Sequence, residues 1–238
     1  INNINNISID DNNKIFIEEL SAKEKDLFDK ALQKAKMLTQ TRQKTADIIE
    51  KEMIESLKLL GMPNIRFKVK ITSVDKLTPM GKDAVTFLFT ANKNANLENV
   101  ADIASGGEIA RVMLSLKALI ASTVQMPTII FDEIDTGVSG DIAERMARIM
   151  EKMGQNGRQI ISITHLPQIA ALGAVQYKVY KKDNEVETTS HICRLTDEER
   201  IDEIAHMLSG STLTDAAIEN AKELLKQTSK KNEHGRKK

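Results

Sequence analysis

Three short stretches of this chain gather residue types that handle phosphate and water. In the first, residues 101–121 (ADIASGGEIARVMLSLKALIA), Ser105 and Glu108 have the spacing of a capping box. They open a helix with Gly106 and Gly107 in its first turn. Small residues let backbone N–H groups approach a ligand, and a helix N-terminus carries roughly +0.5 of an elementary charge. The free amides and the Ser105 hydroxyl therefore form a seat for a phosphate, although a plain capped helix reads the same way. In the second stretch, residues 127–137 (PTIIFDEIDTG), an apolar strand runs straight into Asp132 and Glu133. Chemistry in nucleotide-hydrolysing α/β folds sits at the carboxyl ends of parallel strands. There Asp132 would hold Mg²⁺ through water and Glu133 would orient and polarise an attacking water. A surface acid pair is the plainer alternative, and it explains less well why an unbroken hydrophobic strand ends in two carboxylates. In the third, residues 159–171 (QIISITHLPQIAA), a second buried strand ends in Thr164 and His165. Parallel neighbours bring their ends side by side, so His165 would reach the same phosphate as Glu133; alone, a histidine at a strand end is structural more often than not.

The elements that must position these groups are readable in outline. Residues 1–14 are rich in Asn and Asp and read as a flexible lead-in. Residues 15–60 read as one long helix: from Leu20 to Leu60 there is no Pro or Gly, and Phe28, Ala31, Ala35, Leu38, Thr45, Ile49, Met53, Leu57 and Leu60 follow a 3–4 spacing that Arg42 interrupts. Such a helix reaches on the order of 60 Å, long enough for part of it to project as the base of a coiled-coil arm. A long helix lying on a globular core is the alternative. Gly61-Met62-Pro63 ends it. Strict alternation then puts Ile65, Phe67, Val69 and Ile71 on one face of a strand and Arg66, Lys68 and Lys70 on the other. Val85, Phe87 and Phe89 repeat the pattern after Pro79 and Gly81, which predicts a hairpin. From residue 105 a helix (105–123), a buried strand (127–132), a helix (141–153) and a buried strand (159–164) make a β-α-β unit whose apolar, β-branched strands suit a parallel sheet covered on both faces. Alternation at Val175, Tyr177 and Val179, a turn at Asp183-Asn184 and a strand over 188–195 follow. Helices over 197–208 and 215–226 close the domain, with Gly210 at the break and Thr214 as a cap. The expected fold is thus α/β with a mostly parallel core sheet over 61–228, ending in a basic, disordered tail over 229–238.

Composition narrows the partners. Lys plus Arg and Asp plus Glu number 34 each, so no broad electrostatic footprint for nucleic acid exists and any DNA contact must be local. The single Cys193 rules out an intrachain disulfide framework and a multi-cysteine zinc site, and reads as a packed strand residue in a reducing cytosol. No apolar run approaches the roughly 20 residues of a membrane span, and no signal peptide opens the chain. A soluble, cytoplasmic protein is expected.

Taken in order, the three stretches resemble the second half of an ABC-type ATPase head of the SMC-like class. Within that class IASGGEIARVMLSLKALI, TIIFDEIDTGVSGDIA and SITHLPQIAALG resemble the bacterial RecN family of DNA repair proteins, and RIDEIAHMLSGSTLTDAAIENAKELL (residues 200–225) is similar to the family's C-terminus. The resemblance covers roughly residues 60–226. It implies the C-terminal lobe of a P-loop NTPase head, with ATP and Mg²⁺ as cofactors and hydrolysis to ADP and phosphate in the complete protein. Ser105, Gly106 and Gly107, with Glu108 beside them, match the signature motif that contacts the γ-phosphate of ATP held by an opposing head. Asp132 and Glu133 match the Walker B pair, and His165 matches the switch histidine. Asp135, Thr136, Gly137, Ser139 and Gly140 fall in the D-loop region, which here reads DTGVSGD and departs from the usual ending in Leu-Asp. The implied partners are an N-terminal P-loop half of the same protein, a second head in an ATP-sandwiched homodimer, and DNA, at ends or single-stranded regions. The implied role is double-strand break repair and recombination, in the cytoplasm at the nucleoid, with coiled-coil arms that help hold DNA.

One component of such a site is missing from these residues. A P-loop needs G-x-x-x-x-G-K-[ST], whose glycines let backbone amides cradle phosphates while the Lys reaches them. The nearest string is Gly81-Lys82-Asp83, with Lys76 where the first Gly belongs and an acid where a hydroxyl belongs. The P-loop and the other arm are therefore expected from elsewhere, and Ile1 as a first residue agrees with a piece of a longer chain; alone, the chain is expected to be inactive. A half-head of another SMC-like ATPase, and a non-catalytic module binding DNA or a partner, are the competing readings.

Overall fold

The computed structural model describes residues 2–102, 105–138, 140–155, 157–183, 187–210 and 212–235, with side chains between Asn13 and Lys226, Asp183 excepted. The chain divides into two compact units, one made of Ile1–Lys51 and Phe67–Phe89, the other of Glu52–Arg66 and Thr90–Lys238.

Helix α1 (Asn2–Leu59) runs through both stretches of chain on which the units begin. It starts inside the segment expected to be a lead-in. Extending an existing helix is far easier than nucleating one, and no Pro or Gly precedes Gly61 to stop it.

In the first unit, strands β1 (Arg66–Thr78) and β2 (Gly81–Thr90) form the expected hairpin. Phe67 and Val69 are buried while Arg66, Lys68 and Lys70 are exposed, and the Phe67 and Phe87 rings lie 5.9 Å apart. Val85, expected on the buried face, is exposed, because β1 buries only its first residues and leaves the far half of the hairpin uncovered. The Asp83 carboxylate accepts from the Thr39 hydroxyl at 2.8 Å and from Arg42 Nη1 at 3.0 Å, and Arg42 Nη2 donates to the Met80 carbonyl at 2.8 Å. Arg42 interrupts the apolar stripe because it holds the hairpin turn. Gly81 has φ +95°, and a Cβ there would meet Leu38 Cδ2 at 3.1 Å. This string is a structural corner rather than a phosphate loop. Nearby, Glu50 accepts from Lys68 Nζ and from the Val69 amide, both at 2.9 Å; the hydrogen bond and charge of Glu50 raise the Lys68 pKa above the ordinary lysine value.

The second unit contains the β-α-β unit. After a two-residue strand β3 (Glu98–Asn99) and a 3-10 turn (Val100–Asp102), α2 (Gly106–Thr123), β4 (Thr128–Asp132), α3 (Gly140–Gly154), β5 (Gln159–Ile163) and α4 (Pro167–Leu172) follow in order. Strands β4 and β5 are parallel, in register from Thr128 opposite Gln159 to Asp132 opposite Ile163. Ile129 and Phe131 bury against Leu114, Ala143, Met146 and Met150. The other face was expected to be covered and is not: Ile130 is 55%, Ile161 40% and Ile163 51% exposed. α2 and α3 supply the cover on the buried side, and among the described residues these three isoleucines stay exposed on the other. The expected parallel sheet is represented here by the β4–β5 pair.

Strands β6 (Tyr177–Asp183) and β7 (Thr188–Arg194) pair antiparallel, with Tyr177 opposite Arg194; Asn184 of the expected turn lies outside the described residues. Cys193 is half-buried in β7 and free. Helices α5 (Asp197–Ser209) and α6 (Asp215–Gly235) pack with α4 around Ala171, Ile204, Ala205, Ala217 and Ala221. Thr214 caps α6 through a 3.2 Å bond from the Ala217 amide. The tail expected to be disordered from residue 229 is helical to Gly235, since nothing before that glycine breaks α6; residues 236–238 lie outside the described ones.

Candidate functional site

The start of α2 departs from expectation. Ser105 is its N-cap, extended at φ −85° and ψ 116°, but its side chain makes no cap hydrogen bond, so the Ser105–Glu108 capping box is absent. Among the described residues the Ser105 hydroxyl therefore takes no bond from the first-turn amides of α2. The box forms instead at Thr196 and Glu199, where the Glu199 amide donates to Thr196 Oγ1 at 3.3 Å and Glu199 Oε2 accepts from the Thr196 amide at 2.8 Å.

The first turn of α2 touches the loop after β4. A Cβ at Gly107 would lie 3.0 Å from the Gly137 carbonyl oxygen and 3.6 Å from that of Thr136, and Gly137 itself has φ +72°. Gly106, by contrast, has open space around its Cβ position.

At the strand ends, the Glu133 amide donates to the Ile163 carbonyl at 3.1 Å, which carries the β4–β5 ladder one residue past β4. Glu133 then takes φ +46°, the one non-glycine in the left-handed region among the described residues. That conformation costs roughly 1–2 kcal/mol. Thr136 holds it, donating to the Glu133 carbonyl from Oγ1 at 3.0 Å and from its amide at 3.4 Å. The Asp132 and Glu133 carboxylates are exposed and make no hydrogen bond or ion pair among the described residues.

Asp135, next but one along the loop from Glu133, is only 1% exposed. Thr164 Oγ1 donates to Asp135 Oδ2 and accepts from the Leu166 amide at 3.0 Å. His165 Nδ1 stands 3.8 Å from Asp135 Oδ1, with the imidazole 65% exposed. Gly140 opens α3 beside Gln168, and Ser139 lies outside the described residues.

The chain thus brings together Gly107, Thr136 and Gly137 at one contact, and Asp135, Thr164 and His165 at another, with Glu133 at the end of the shared ladder. No hydrogen bond joins Ser105 or Glu108 to the acids among the described residues. Sequence reasoning assigned Asp135 to a loop region and left its contacts open; burial of one loop carboxylate leaves no trace in periodicity. Thr164 was noted only as the residue before His165. No group of three or more His, Cys, Asp or Glu that would enclose a metal occurs among the described residues. One exposed, unpartnered Asp at a strand end fits a water-mediated hold on Mg²⁺ and does not by itself close the cation's shell.

The same ordered stretches recur in known proteins. The chain is similar to the DNA repair protein RecN of Vibrio cholerae, 36% identical over 192 residues that make up 80% of this chain and 34% of that protein. It is 34% identical to RecN of Haemophilus influenzae over 209 residues, 87% of this chain and 37% of that one, and 34% identical to RecN of Bacillus subtilis over 221 residues, 88% and 38%. The chain belongs to the RecN family. It spans somewhat more than a third of the length of these RecN relatives, as their C-terminal part. No protein-family model matches it. The RecN-family chain also has the fold of an SMC head. The Smc head domain with a coiled coil and joint from Pyrococcus yayanosii superposes with a TM-score of 0.59 at 19% identity, covering 82% of this chain and 35% of that one. A chain from a structural study of ATP-driven dimerisation of SMC ATPases superposes with a TM-score of 0.50 at 17% identity, over 73% of this chain and 98% of that one.

Proposed function

We propose that this RecN-family chain contributes the signature, Walker B and switch-histidine share of a composite ATPase site in a DNA repair protein. The P-loop comes from another part of the same protein, and a second head closes over the nucleotide. The observation that carries this reading is the double convergence at the ends of β4 and β5: the start of α2 meets the D-loop at Gly107 and Gly137, while Asp135 ties that loop to Thr164 and His165.

In this reading Glu133, exposed and free of partners, orients and deprotonates the attacking water. The Glu133 backbone is held in the left-handed region just past the last rung of the β4–β5 ladder. His165 hydrogen-bonds the terminal phosphate, and Ser105, Gly106 and Gly107 present a hydroxyl and amides to a phosphate held by the opposing head. Asp132 holds Mg²⁺ through water; that cation, when bound, neutralises charge on the β- and γ-phosphates. Helix α1 serves as the base of a coiled-coil arm, and the complete protein works in the cytoplasm at the nucleoid, in double-strand break repair and recombination. The test is turnover by the complete protein carrying Glu133→Gln. ATP should still bind while kcat falls on the order of 10² to 10⁴, the worth of a positioned base; unchanged turnover removes Glu133 from the mechanism.

A further inference from the structure

We propose that Thr136 is a positioning residue for Glu133: its hydroxyl holds the Glu133 backbone in the left-handed region and so sets the place of the carboxylate that acts on water. The inference rests on the reading of Glu133 as the base and adds to it the group that keeps it in place.

Glu133 is the one non-glycine residue with positive φ among the described residues, at +46°. A residue with a Cβ leaves that region unless its neighbours hold it there. Both peptide planes that flank its Cα are tied. On one side the Glu133 amide donates to the Ile163 carbonyl at 3.1 Å, at the end of the β4–β5 ladder. On the other, the Glu133 carbonyl accepts twice from Thr136, from the amide at 3.4 Å and from Oγ1 at 3.0 Å. The two planes together fix the direction of the Cα–Cβ bond, and with it the point from which the carboxylate reaches out. The amide bond is one that any residue but proline would supply at 136, and it is long for N–H···O. The hydroxyl bond is the shorter of the two, and this back-bond to the third residue before it depends on the residue type.

Thr136 is itself a fixed post. Asp135, one residue before it, is buried and accepts the Thr164 hydroxyl, which ties this part of the loop to the end of β5. One residue after it, Gly137 stands so close to α2 that a Cβ on Gly107 would meet the Gly137 carbonyl oxygen at 3.0 Å. Thr136 is exposed, so exchanging it for the equally branched valine opens no cavity and removes the donor. Residue 133 is then free to relax toward the ordinary regions of φ, with its carboxylate out of place for part of the time.

The experiment measures ATP turnover and ATP affinity in the complete protein carrying Thr136→Val, Thr136→Ser, Glu133→Gln, and Thr136→Val together with Glu133→Gln, with melting temperatures to check folding. Thr136→Val should lower kcat by about 5- to 10-fold, the size of one net hydrogen bond expressed as a shift in population. ATP affinity should change little, and Thr136→Ser should keep most of the wild-type rate. Added to Glu133→Gln, Thr136→Val should cost little more, because no carboxylate is left to misplace; such a cycle isolates what the two residues do together. A purely structural role predicts a loss repeated in full in both backgrounds, and that result overturns the proposal. So does a serine variant that falls as far as the valine one. Wild-type kcat in Thr136→Val beside an impaired Glu133→Gln also overturns it, and leaves the reading of Glu133 standing. Full turnover in Glu133→Gln removes that reading, and this inference with it. Should Thr136→Val fail to fold, Thr136→Ala carries the same comparisons.

Discussion

At the residue scale, two serine or threonine N-caps that look alike in sequence behave differently in the fold. Thr196 is bonded reciprocally to Glu199, whereas the Ser105 side chain makes no cap hydrogen bond. Thr196→Ala should therefore destabilise the chain by about 1 kcal/mol, and Ser105→Ala by a few tenths at most, read from urea midpoints. If Ser105 faces a nucleotide, its removal shows instead in ATP turnover of the complete protein. Gly107 gives a complementary case. Its Cβ would stand 3.0 Å from a backbone oxygen that cannot rotate away, so Gly107→Ala should shift the first turn of α2 and cost roughly 1–3 kcal/mol, while Gly106→Ala, in open space, should cost little. Spacing singled out SGGE, the acid pair and the terminal histidine as candidates, each with a plainer structural alternative, and only their order along the chain joined them into one proposed site. The capping geometry was not legible, because the S-x-x-E spacing permits a capping box without requiring one. Nor was the part played by Asp135, because its burial depends on a contact with Thr164, 29 residues further on.

At the element scale, long-range polar contacts decide what periodicity could only outline. The 3–4 stripe identified α1, the alternation identified the hairpin, and neither explained why an arginine breaks the stripe. Asp83, whose side chain is 3% exposed, takes both Arg42 and Thr39. Arg42→Ala would leave that carboxylate with Thr39 alone and should destabilise the first unit by roughly 1–3 kcal/mol. Hydrogen exchange should report the loss in the amides of β1 and β2 and spare those of β4 and β5; a uniform loss would contradict a local role. Helix limits were the weakest part of the sequence reading. Both ends of the chain were read as irregular from composition, yet α1 and α6 run on through polar residues, because polarity disfavours burial without forbidding a helix.

At the scale of the whole molecule, the β4–β5 pair presents Ile130, Ile161 and Ile163 on a bare face. Sequence reasoning took these residues for the interior of a sheet covered twice, and the apolar, β-branched run cannot reveal from which chain segment the second cover comes. If the cover lies in another part of the complete protein, Ile161→Lys has opposite effects in two settings. In the isolated chain it should increase the monomer fraction in sedimentation, since it removes an exposed apolar site. In the complete protein it should destabilise the head, since it places a charge in a buried layer. Equal behaviour in both settings would mean that this face stays open to solvent.

The division into two units has a mechanical side. The backbone passes from one unit to the other at residues 51–52, returns at 66–67 and comes back at 89–90. The two are thus joined by three covalent crossings of the chain rather than by a single linker. A protease that cuts the hairpin at exposed Met80 leaves β1 and β2 each attached through its own junction, so the nicked protein should migrate as one particle until it is denatured.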